Sequence, residues 1–143
     1  VPDEAARRAL LAALARGVRV RIIVEGDHVD GHMVGDASRT YWAGFIAAGA
    51  KIARYGPSLF HSKLMVVDDY LTLAGSANFD NRSFHLNDEA NIAVYDGEFA
   101  RRMTGVFDGD LAASQAVTIA GLQARPWTQQ VTDRFWAEFA SQL

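Results

Sequence analysis

Cysteine is absent from the 143 residues, which excludes disulfides and thiolate metal sites and leaves the cellular compartment open. No apolar run approaches the roughly 18 residues of a membrane span, so any membrane contact is expected to be peripheral or to lie outside this sequence. The opening Val1-Pro2-Asp3-Glu4 does not resemble the charged start of a signal peptide. Basic excess is missing too. A formal charge of −3 argues against a dedicated nucleic-acid binder, while a local basic pocket stays open. No internal repeat is visible. What is present is a chain half apolar in composition, long enough for one soluble domain with a sizeable core.

Chemistry concentrates in one segment. His61-Ser62-Lys63-Leu64-Met65-Val66-Val67-Asp68 is followed after six residues by Gly75-Ser76-Ala77-Asn78. Leu59 to Val67 is apolar and β-branched and predicts a buried strand, on which His61 and Lys63, two apart, share a face. Asp68-Asp69 predicts a turn and Tyr70 to Ala74 the returning strand. Gly75-Ser76 admits close approach to a ligand, and Asn78 then arrives beside the His and Lys. An imidazole can attack phosphorus, an ammonium can neutralise non-bridging oxygens, and an amide can donate to the same oxyanion. These roles call for no metal or cofactor. A lone His on a strand is more often structural, but five residue types in this spacing argue for phosphodiester chemistry.

The pattern H-x-K-x4-D-x6-G-S-x-N resembles the HKD signature of the phospholipase D superfamily at every fixed position. Asn78-Phe79-Asp80-Asn81-Arg82-Ser83-Phe84, then Leu86-Asn87-Asp88-Glu89-Ala90-Asn91, is similar to the stretch that follows the motif in bacterial cardiolipin synthases. Weaker similarity covers residues 1–4, 48–55 and 110–114, with Arg125-Pro126-Trp127. The resemblance implies phosphatidyl transfer between two phosphatidylglycerol molecules through a phosphohistidine, giving cardiolipin and glycerol. His61 would be nucleophile or acid, Lys63 and Asn78 would hold the phosphate with help from Ser76, and Glu89 would hydrogen-bond the His61 ring. Asp68, the motif's fixed aspartate, is included among the catalytic candidates, although its residue type and position fit ordering of the hairpin turn.

One count is out of place. An in-line displacement needs a nucleophile on one side and an acid on the other, and one His cannot serve both. Superfamily members use two motifs in one chain or one per subunit of a homodimer. Because Val1-Pro2-Asp3-Glu4 resembles a stretch in the second half of cardiolipin synthases, the chain looks like the C-terminal half of a two-motif enzyme, expected to be inactive in isolation, with its N-terminal half or a second subunit as partner. Peripheral membrane contact at the cytoplasmic face of a bacterial inner membrane is implied as well. Hydrolysis with water as acceptor and a homodimeric single-motif nuclease remain alternatives. A purely structural half is a third, against which the intact motif argues.

The rest of the chain predicts helices over 3–16, 38–48, 98–114, 118–124 and 127–141, and strands over 18–24, 51–55 and 89–95. Residues 25–35 read as a loop, and 78–87 as irregular or one short helical turn. Together these predict an α/β sandwich, a mixed sheet with helices on both faces. His28 and His32 with Asp27, Asp30 and Asp36 match no closed metal template, and none is assigned. His85 reads as structural. Arg82 is expected either to meet a phosphate or to pair with Asp80 or another nearby carboxylate. Trp127, Val131, Phe135 and Phe139 form a stripe suited to core or half-to-half packing rather than to a membrane.

Overall fold

The computed structural model describes residues 4–26, 32–129 and 131. Helix α1 (Glu4–Ala15) carries Leu10 and Leu14 toward the core and stops at Gly17. Gly17 has φ +87, in the left-handed region where glycine lacks the Cβ penalty. Strand β1 (Arg21–Val24) follows, then helix α2 (His32–Ala47), which Gly49 closes in the same way with φ +103. Helix α2 therefore begins inside the segment expected to be a loop. Strand β2 (Lys51–Tyr55) lies parallel to β1, Arg21 opposite Lys51.

The core lies between these elements: Leu14, Trp42, Phe45, Ala50 and Ile52 are buried together, with Ile22 and Val24 packed against them. Alternation along β1 sends Arg21 to the other side. There its guanidinium reaches Asp108 Oδ1 at 2.5 Å and lies 4.9 Å from the Phe107 ring centroid. Both belong to helix α4 (Gly97–Ala112), so this sheet carries helices on both faces. The short strand β6 (Ser114–Ala116), not expected from the sequence and beginning where the helix was expected to end, completes the sheet antiparallel to β2. Helix α5 (Ile119–Gln123) starts at Thr118, whose hydroxyl accepts from Gly121 N–H and caps it.

A second, antiparallel sheet holds the motif. Strand β3 (Leu64–Val67) turns through Asp68 and Asp69, both at φ 50, into strand β4 (Leu71–Gly75). Tight hairpin turns favour this left-handed backbone, and Asp tolerates it better than most residues. After helix α3 (Asn81–His85), strand β5 (Asn91–Tyr95) pairs with β4, Gly75 opposite Asn91. The fold is thus mixed α/β as expected, but its strands divide into two three-stranded sheets, β1-β2-β6 and β3-β4-β5. Helix α4 packs against strands of both. Trp127 and Val131 are exposed, so the described residues do not draw their stripe into a core; Phe135 and Phe139 lie outside them.

Candidate active site

The site forms at the end of the β3–β4 hairpin opposite its turn. Residues 61–63 lie outside the regular strand, which begins at Leu64 rather than at Leu59. One backbone bond extends the ladder past that point, Gly75 N–H donating to the Lys63 carbonyl at 3.3 Å. This bond joins the two parts of the motif. Gly75 is required there: a Cβ would overlap the Ala90 carbonyl oxygen and Asn91. Ser76 N–H donates to that same carbonyl at 3.0 Å, and Ala77 N–H to Asn91 Oδ1 at 3.3 Å. The loop leading to Asn78 is thereby tied to the start of β5.

His61 is open, with 64% of its side chain exposed, and its Nδ1 lies 3.8 Å from Glu25 Oε1. Lys63 Nζ donates to the His61 carbonyl oxygen at 2.9 Å. Asn78 is exposed, and its side chain bonds no other described residue. His61 and Lys63 thus lie side by side, and the Gly75–Lys63 bond ties the loop that leads to Asn78 to the same end of the hairpin.

Glu89 has a different set of neighbours from the one expected. Its Oε2 accepts from Ser76 Oγ at 2.5 Å, and its Oε1 from Ser83 Oγ at 2.8 Å and Asn87 Nδ2 at 3.2 Å. These bonds, Ser76 first, hold its carboxyl below the ordinary value of 4.5, and Lys63 adds a smaller pull. No bond to His61 is among them; the carboxylate facing His61 is Glu25, in a segment read as loop. The Ser76 hydroxyl is likewise engaged within the chain. Its proton goes to Glu89 while its oxygen accepts from Ala90 N–H at 3.0 Å, so it offers no free proton to a phosphate.

The structure does not bring Asp68 to this group. It occupies the hairpin turn, roughly 16 Å along the strand from Lys63 at about 3.3 Å per residue. Arg82 is exposed and does not pair with Asp80, whose carboxylate caps α3 by accepting from Ser83 N–H at 2.8 Å. His85 lies exposed on α3. Asp27, His28 and Asp30 fall outside the described residues, and His32 and Asp36 lie in α2. Sequence reasoning missed Glu25 and Ser83. Only the short helix following Asp80 hinted at Ser83, because an N-capped turn brings its third residue back toward the cap.

Two solved structures share this fold. A phospholipase D family member, Nuc from Salmonella typhimurium, superposes with a TM-score of 0.69 over 81% of this chain and 75% of its own, at 22% identity. NucT from Helicobacter pylori gives 0.59 over 77% and 72%, at 19% identity. These two likenesses show the fold. The family comes from sequence: residues 1–111 match the cardiolipin synthase, PLD-like domain. The chain belongs to that family. It is 34% identical to the minor cardiolipin synthase ClsB of Bacillus subtilis over 91% of this chain and 32% of that protein. It is 41% identical to cardiolipin synthase A of Pseudomonas aeruginosa over 82% and 24%, and 35% identical to that of Serratia proteamaculans over 100% and 29%. The chain thus spans about a quarter to a third of the length of these curated relatives.

Proposed function

We propose that this chain supplies one half of a phosphatidyltransferase site that makes cardiolipin from two phosphatidylglycerols. The observation that carries the reading is the Gly75–Lys63 backbone bond, which seats the Gly-Ser-x-Asn loop beside the His-x-Lys segment. Histidine attack on the phosphorus of one phosphatidylglycerol forms the N–P bond and breaks the P–O bond to the headgroup glycerol, whose alkoxide takes a proton from an acid. The headgroup hydroxyl of the second lipid then attacks that phosphorus, losing its proton to the same group. Cardiolipin leaves and the imidazole is restored.

His61 takes one of the two roles, nucleophile or acid. A second HKD motif takes the other, either in a longer polypeptide or on a second subunit, and the exposed His61 and Asn78 and the half-buried Lys63 are open to it. Lys63 Nζ needs only to leave the His61 carbonyl to meet a phosphoryl oxygen, and the Asn78 amide donates alongside it. Incubating the full-length protein with phosphatidylglycerol should give cardiolipin and glycerol in equal amounts. His61→Asn should abolish both products while leaving the fold intact. Phosphatidic acid as main product would favour hydrolysis, and cleavage of DNA instead of lipid would favour the nuclease.

A further inference from the structure

Ser83 lies at the centre of the bonds around the site, yet the chemistry above gives it no task. Only 7% of it is exposed. Its Oγ accepts from Asn78 N–H at 3.1 Å and donates to Glu89 Oε1 at 2.8 Å, while its own N–H donates to Asp80. A hydroxyl has a single proton to give, and here the carboxylate takes it. That fixes the hydroxyl's orientation, and with it the lone pair that receives the Asn78 N–H. Because the Asn78 side chain bonds no other described residue, its aim depends on its backbone. We propose that Ser83 is a positioning residue, locking the Asn78 backbone to the Glu89 carboxylate so that the Asn78 amide points where a phosphoryl oxygen arrives. This rests on the phosphodiester chemistry proposed above and adds to it a residue that never touches substrate.

A double-mutant cycle in the full-length protein tests the role, using Ser83→Ala, Asn78→Ala, the double variant, and Ser83→Thr. Ser83→Ala should lower kcat about tenfold, the scale of one hydrogen bond involving a charged group. KM should change little, since the amide matters most where charge develops in the transition state. Ser83→Thr keeps the hydroxyl and should recover most of the loss. In the Asn78→Ala background, Ser83→Ala should cause no further loss, because the group it positions is gone. If Ser83→Ala fails to fold, Ser83→Cys replaces it in the cycle, and the same outcomes decide. Wild-type kcat in the Ser83 variant, or losses that multiply in the double variant, would overturn the positioning role alone. Unchanged turnover in both Asn78→Ala and His61→Ala would overturn the phosphodiester assignment and the positioning role with it.

Discussion

Glu89 shows how far residue-level reading of the sequence reaches. Its place in the motif's continuation marked it as a site carboxylate, but a linear pattern does not say which of several nearby donors a carboxylate will meet. Ser76 and Ser83 reach it first, from the loop before α3 and from α3 itself. Their bonds keep Glu89 ionised to lower pH in the folded chain than in the unfolded one. Its stabilising contribution is therefore complete above the unfolded value near 4.5 and is lost as pH falls through the folded value. Glu89→Gln lacks that contribution. The gap in Tm between wild type and this variant should be constant near neutral pH and close on acidification below 4.5; thermal melts across that range check the sign. Asp68 is the opposite case, a fixed motif position that the fold sends to the far end of the hairpin. Asn tolerates the same left-handed backbone, so Asp68→Asn should fold and keep wild-type kcat. A large loss of kcat in the folded variant would return Asp68 to the chemistry.

Elements were legible where the pattern is long and its ends are marked. Helices α1 and α4, strands β2 and β4 and the turn at Asp68-Asp69 fall close to their expected bounds, because apolar periodicity and turn residues agree there. The failures are local. Strand β3 is shorter than its apolar run, since residues 59–63 have no partner strand to complete a ladder beyond the single Gly75–Lys63 backbone bond. Strand β6 goes unread, its first residue taken as the end of the preceding helix, as nothing in Ser114-Gln115-Ala116 alternates strongly enough to announce a strand. Glycine separates two kinds of position in these elements. At Gly75 a Cβ overlaps β5, so Gly75→Ala should cost about 1–3 kcal/mol as overpacking and disturb the loop carrying Asn78. At Gly109, inside α4, a Cβ meets nothing within 4 Å, so Gly109→Ala should stabilise by about 0.5–1 kcal/mol. Chemical denaturation of the two variants should give opposite signs.

For the whole molecule, the family and the mixed α/β class were readable, whereas the division into two sheets was not, because strand pairing between distant segments leaves no local signal. No helix among the described residues is long and apolar enough to cross a membrane. The single motif sets the main expectation at this scale. The 143-residue chain by itself should give negligible phosphatidyl transfer, and adding a polypeptide that carries a second HKD motif should restore it; efficient turnover by a demonstrated monomer would refute the two-motif requirement. Helix α4 has a further consequence, for how the molecule comes apart. Each sheet has only three strands, near the minimum for independent stability, and α4 packs against both, with Ala100 wholly buried. Neither sheet can lose α4 without uncovering the other. Amide protons of β2 and β4 should therefore exchange through one shared opening, with the same dependence on denaturant, and the hairpin that carries the motif should be as long-lived as the apolar core it does not belong to.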